Sequence, residues 1–399
     1  MTRWLAVLFA FAAFGPIAPA PAGSSDAALR ASLQRDLDRY LSSRSKVEHL
    51  SAISLSISLR GQSSNISLAA GRMRYGGAGV PVTPNSLWQI GSNTKAFTAV
   101  TILELEAEGK LTIDQTVGTW LPQYPAWKSV TIRRLLNMSS GIPTYDNVPA
   151  MLRDYARNPK RNFTIPELIA YVYPSNPAAP KSTTGYSYSN TNYLLAQLII
   201  EKASHDSYSA EIERRFFSRL GLNDTFYAGF QYPQAVLARM PAGYFFNRDP
   251  DSKALAPLLG LDVSSDSVSW MQGAGGIVST PVDLTRWARA LYGKTLLPPK
   301  QRAELFSLIS TKTGKPIAKT SAADPRGFGL GVVGVTAPKL GTFWFYEGET
   351  LGFRMVHFYL PRQDAVIAFG LNSAPDKAQD HSGQLATSIY NTLHESGRL

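Results

Sequence analysis

Ser92-Asn93-Thr94-Lys95 opens a stretch in which Ala96, Phe97, Val100 and Leu103 recur at helical intervals. Residues three apart share one face of a helix, so the Ser92 hydroxyl and the Lys95 amine meet. A hydroxyl with an amine in reach is a nucleophile with a candidate base. A helix start also offers backbone N–H groups without partners and the positive end of the dipole, which suit an oxyanion forming beside Ser92. The spacing alone is weak, because Ser43 and Lys46 repeat it with no chemistry nearby. The bland reading is a capping serine and a solvated lysine.

A second polar cluster, Tyr186-Ser187-Tyr188-Ser189-Asn190-Thr191-Asn192, precedes an apolar helical pattern. Tyr188 has the chemistry of a proton relay if a nearby cation lowers its pKa, and Asn190 that of an amide holder. The alternative is a loop that caps the helix. Gly273-Ala274-Gly275-Gly276 lacks the Gly-Lys-Ser/Thr that phosphate binding needs, and reads as close backbone packing. The five histidines are scattered without ligand spacing, so no metal is expected, and no cofactor either. His357, on an alternating strand, reads as structural. No Gly-x-Ser-x-Gly elbow is present, which argues against an α/β-hydrolase.

The elements that must position these residues follow from periodicity. Leu29, Leu33, Leu37 and Leu41 predict a helix over 26–43. Ile53 to Leu59 alternate with serines, as in a half-buried strand, and 66–70 form the returning strand. The Ser92 helix runs to about Gly109. From there to about 310 the pattern is helices and long loops: 131–136 precedes a turn at Ser139-Ser140-Gly141, and helices are expected over 166–173, 192–203, 208–220 and 281–291, the last capped by Thr280. No element is assigned over 243–275. Strands return over 329–334, 342–346, 352–360 and 365–371, followed by a helix over 379–393. Strands at both ends imply one mostly antiparallel sheet with a helical middle inserted beside it, an α+β fold.

With 44% hydrophobic and 17% charged residues in 399, the chain is an ordinary globular protein. Residues 1–22 have the makeup of a signal peptide, with Arg3, an apolar run from Trp4 to Phe14, and Ala20-Pro21-Ala22 at the cleavage site. The apolar run is too short to span a bilayer, and a lipid anchor would need a cysteine, of which there is none. The expectation is a secreted or periplasmic protein with no stable membrane anchor. Thiol chemistry is excluded. The net charge of +11 is compatible with an anionic wall polymer or with no specific partner. No nucleic-acid module is recognisable, so no nucleic-acid partner is expected.

Ser92-x-x-Lys95 together with Tyr188-x-Asn190 resembles the penicillin-recognising serine hydrolases, in the branch of class C β-lactamases, D-alanyl-D-alanine carboxypeptidases and related esterases. Gly91–Pro122, Thr131–Ile142, Tyr188–Ala203 and Gly275–Leu291 match that family in order and spacing, and the likeness covers about residues 45–395. It implies a β-lactamase/transpeptidase-like fold, with 23–399 as a single domain. The α/β part would be about 23–95 and 325–399, the helical part about 96–324. It also implies two-step acyl transfer, with Ser92 as nucleophile, Lys95 or Tyr188 as base, and Asn190 orienting the acyl amide.

The family's third motif, Lys or His, any residue, Gly, falls on Tyr346-Glu347-Gly348, where the cation is missing. Tyr346 and Gly348 would line the substrate site, and the Glu349 backbone would give the second oxyanion N–H. Arg354 on the next strand is a candidate replacement for the lost charge. The implied activity is hydrolysis of a small or peptide acyl substrate, peptidoglycan-derived material included, by an esterase or a D-amino-acid peptidase or carboxypeptidase. A β-lactamase is the alternative within the family. A non-catalytic cell-wall-binding or penicillin-sensing homologue is the alternative outside enzymes.

Overall fold

A computed structural model describes residues 26–77, 79–176, 181–338 and 340–399. The signal peptide expected at 1–22 lies outside the described residues. Helices α1 (Asp26–Glu48), α2 (Thr94–Ala107), α3 (Thr191–Ser204), α4 (Pro281–Tyr292) and α5 (Ser382–Glu395) frame the site. Among the described residues there is a nine-stranded sheet. Its strands in chain order are β1 (Ala52–Ser58), β2 (Ile66–Gly71), β3 (Leu308–Ser310), β4 (Pro316–Ile317), β5 (Arg326–Phe328), β6 (Val333–Ala337), β7 (Gly341–Glu349), β8 (Arg354–Leu360) and β9 (Ala365–Leu371). In space the order is β2-β1-β9-β8-β7-β6-β5-β3-β4, antiparallel throughout. The chain therefore has the α+β architecture expected. No described helix is long and apolar enough to cross a membrane.

Where expectation and structure differ, tertiary contacts decide. Strand β1 is buried on both faces, not one. Its serines meet protein instead of water: Ser54 donates to the Thr83 carbonyl at 3.0 Å, and Arg289 on α4 donates to the Ser58 carbonyl at 2.8 Å. Of the strand expected over 329–334 only Val333 and Gly334 are strand, at the start of β6; β5 ends at Phe328, and the residues between are a turn. Gly331 turns the chain there at φ +76°, and a Cβ on it would lie 2.8 Å from the Lys95 carbonyl. Close approach to the helix of the nucleophile thus breaks the strand. The unassigned stretch 243–275 contains Tyr244–Phe246, which pairs in parallel with Ser373–Pro375, and a 3₁₀ segment, Pro250–Leu258. The helix expected over 208–220 is interrupted by a π turn at Glu213–Phe217.

Helix α2 is the pivot of the core. Every residue from Thr94 to Glu106 is buried, which a helix achieves only when packed on all sides. Phe97 stacks on Trp287 of α4 with ring centres 3.7 Å apart. Helix α4 starts as expected: Thr280 Oγ1 accepts from the Asp283 N–H at 3.1 Å.

Candidate active site

Ser92 does not cap α2. It sits in a 3₁₀ turn, Gly91–Asn93, just before the helix, and no side chain caps either element. Its hydroxyl is left for other partners. Gly91 takes φ +50°, and a Cβ there would lie 2.6 Å from the Glu349 carbonyl oxygen and 2.7 Å from its nitrogen. A Cβ on Gly348 would fall 1.8 Å from the Ile90 carbonyl. The two glycines let the backbone of β7 lie directly against the nucleophile turn. Gly348 was expected to make room for substrate; the space it frees is filled by the turn itself.

Lys95 is fully buried. Its Nζ is 2.9 Å from Ser92 Oγ and donates to the Ala274 carbonyl at 2.6 Å. The rings of Tyr188 and Tyr193 flank it, with centres 5.0 and 5.4 Å away. Burial lowers its pKa to about 7, against the opposing pull of the Asp146 charge. The amine is then available as a base near neutral pH. The Tyr188 phenol lies 2.7 Å from Ser92 Oγ, on the third side of the hydroxyl. Asn190 donates from Nδ2 to Asp146 Oδ2 at 2.7 Å, and its Oδ1 is buried with no hydrogen-bond partner among the described residues.

These groups open onto a cleft lined also by Tyr145, Trp270, Glu347, Glu349 and Thr350. Asp146 had no signal in sequence, since it is a lone aspartate in a 3₁₀ turn; the aromatic content of 243–275, Trp270 included, was compatible with a loop over a site or with a packed excursion. Asp146 is 2% exposed and accepts from Thr144 Oγ1 as well as from Asn190. Glu347 accepts from Ser382 Oγ at 3.1 Å. Burial, reinforced by the Asp380 charge, raises its pKa to about 8.

Two expectations about this wall need correction. Tyr346 does not line the cleft: it is 1% exposed, behind Tyr188, with its ring edge-on to Phe328. Strand alternation turns it into the core while Glu347 and Glu349 face the cleft. Arg354 does not replace the missing cation. It is completely buried, paired with Glu48 at 2.5 Å and Asp380 at 2.6 Å, and donates from Nε to the Ser373 carbonyl. Among the described residues the cleft lining holds the acidic side chains Asp146, Glu347 and Glu349, of which Glu347 is mostly protonated at neutral pH, and no arginine or lysine. Among the described residues no cluster of His, Asp or Glu is arranged to hold a metal.

A pH profile follows from the Lys95 environment. With a neutral aryl ester, kcat/KM is expected to fall about tenfold per pH unit below an apparent pKa near 7, because the protonated amine cannot accept the Ser92 proton, and to level off above it. A flat profile from pH 5 to 8 would remove Lys95 from the base role.

The β-lactamase family model matches residues 44–388. Penicillin-binding protein 4* of Bacillus subtilis is 28% identical over 290 residues, 72% of this chain and 61% of its own length. The teichoic acid D-alanine hydrolase of Staphylococcus aureus is 25% identical over 234 residues, 59% of this chain and 53% of its own length. The chain thus spans little more than half of these curated relatives. The crystal structure of the D-amino acid amidase of Ochrobactrum anthropi superposes with a TM-score of 0.74 over 93% of this chain and 99% of that one, at 21% identity, a likeness of fold. With the family model covering most of its length, the chain belongs to the β-lactamase family.

Proposed function

We propose that the protein hydrolyses an ester or amide through a Ser92 acyl-enzyme, and that the acyl group it accepts carries a free ammonium. One observation carries this reading: the Asp146 and Glu349 carboxylates line the cleft, and among the described residues no arginine or lysine lines it to receive a substrate carboxylate. In the reaction, neutral Lys95 takes the Ser92 proton directly or through Tyr188. Ser92 Oγ attacks the carbonyl, and the oxyanion lies between the Ser92 and Glu349 N–H groups. The leaving group departs with a proton, and a water deprotonated by the same pair releases the acid. Asp146, held by Asn190, takes the ammonium. Glu347 occupies the wall where relatives dock a carboxylate.

The names of the teichoic acid D-alanine hydrolase and the D-amino acid amidase both point to a D-amino acid in the substrate, which supports a D-aminoacyl ester or amide here. Peptidoglycan-derived or other wall material is its proposed source, in keeping with export by the segment 1–22. The carboxypeptidase and β-lactamase readings are weaker, since both substrates present a carboxylate to this acidic wall.

The test compares kcat/KM for D-alanyl p-nitroanilide, its N-acetyl derivative and a carboxylate-bearing β-lactam. A charged hydrogen bond of about 1.5–3 kcal/mol predicts a preference for the free amine of about 10- to 150-fold. Asp146→Asn and Glu349→Gln should each shrink it. Equal rates on the free and acetylated amines, or a preference for the β-lactam, would overturn the proposal.

A further inference from the structure

Asn93, next to Ser92, is 1% exposed and wholly engaged. Its Nδ2 donates to the Ile90 carbonyl at 2.8 Å and to the Met355 carbonyl of β8 at 2.9 Å. Two carbonyl acceptors fix which end of the amide is nitrogen. The opposite end, Oδ1, lies 2.7 Å from Nδ1 of His357, also on β8 and 1% exposed. A carbonyl oxygen can only accept, so His357 Nδ1 carries the proton. His357 Nε2 then presents a lone pair, and the Tyr292 phenol of α4 donates to it at 2.8 Å. The Tyr292 ring is stacked on Tyr359 with centres 5.4 Å apart and planes 1° from parallel, which fixes the direction of its hydroxyl. Every donor and acceptor of the chain is matched when the imidazole is neutral, and burial pushes its pKa down to about 3.

The chain joins three elements at one point. Asn93 sits on the nucleophile turn, His357 on β8, which is in register with β7 (Gly348 opposite Met355), and Tyr292 on α4. The backbone of β7 presses on the same turn, with Asn93 Nδ2 only 2.6 Å from where a Gly348 Cβ would be. A side chain that bridges the turn and β8 therefore sets the gap between Ser92 and Glu349.

We propose that His357, acting through Asn93 and oriented by Tyr292, is a positioning residue that holds Ser92 at its working distance from the Glu349 backbone. It touches neither substrate nor the reacting hydroxyl. A polar network this complete is far more than a buried strand needs for packing, where an apolar side chain would serve. The proposal takes its readout from the Ser92 acyl-enzyme reading. A fluorophosphonate titration separates the two, because failure of that reading leaves the wild type with no adduct at Ser92.

The experiment measures kcat and KM per titrated site for a neutral aryl ester, with thermal melts, on His357→Phe, His357→Asn and Tyr292→Phe. Displacement of a nucleophile by a fraction of an ångström to one ångström predicts a loss of kcat of about 10- to 100-fold in His357→Phe, with KM within about twofold of wild type. His357→Asn, whose amide nitrogen replaces Nδ1–H, should recover most of that loss. Tyr292→Phe, which leaves His357 Nε2 without its donor and the ring less firmly oriented, should lose about three- to tenfold. The pH midpoint near 7 should stay in place in all three. A purely structural His357 would lower the melting temperature and leave kcat per titrated site unchanged, which would overturn the proposal. So would a His357→Asn protein as slow as His357→Phe. If His357→Phe does not fold, full kcat in Tyr292→Phe is the overturning result.

Discussion

Ser92→Ala is expected to leave a folded protein with less than about one-hundredth of wild-type kcat, a rise in barrier of at least ~2.7 kcal/mol. The fold should survive because the hydroxyl caps no helix. Its contacts are Lys95 Nζ and the Tyr188 phenol; Lys95 keeps the Ala274 carbonyl. Activity should not survive, because no other hydroxyl is described in contact with both a buried amine and a phenol at the cleft. The check is residual kcat beside a thermal melt and loss of the fluorophosphonate adduct. A variant that melts like wild type and retains more than a hundredth of its turnover places the nucleophile elsewhere.

Arg354→Met should cost about 3–5 kcal/mol of stability, the range for removing one partner from a buried ion pair. Arg354 is fully buried between Glu48, itself fully buried, and Asp380. Its loss leaves the Glu48 carboxylate with Arg44 at 2.8 Å and the Tyr40 phenol at 2.9 Å, and leaves the Ser373 carbonyl without its Nε donor. Removing Glu48 as well, in Arg354→Met/Glu48→Leu, should recover part of the loss, since neither of the two fully buried charges is then left alone. Urea titration of the three proteins is the measurement. A cost under about 1 kcal/mol for the single variant would mean that the pair is not buried as described.

The candidate site was legible where local geometry decides contact. Ser92 and Lys95 are three residues apart on one turn, so their meeting follows from helix geometry. Tyr188 and Asn190 stood out because polar residues cluster before an apolar helix, and their arrival at Ser92 depends on the packing of α3 against α2, which the family resemblance implied. Asp146 was invisible: a lone aspartate in a 3₁₀ turn has no period, and only the fold brings it to Asn190. The destination of Arg354 was equally hidden, since its partners lie 306 and 26 residues away in sequence. In the fold, the apolar periods of α1, α4 and β9 sufficed to locate them. Those of β1 and of the strand expected over 329–334 misled. The serines of β1 are covered by α4, and Gly331 bends the chain toward Lys95. Each case is tertiary contact overriding a local preference.

Strand β1 sits between β2, its neighbour in sequence, and β9, whose residues come more than three hundred positions later: Leu55 pairs with Leu68 on one side and Phe369 on the other. During synthesis the ribosome delivers the first of these partners at once and the second only near the end. Until then β1 has an open apolar edge, and the turn of Ser92 lacks the β7 strand that it packs against. Such long-range closure is slow to form and is exposed to aggregation while it waits. A nascent chain of this protein therefore has no acyl-transfer machinery to misfire before the last strands arrive, and it depends on being kept apart from other chains until they do.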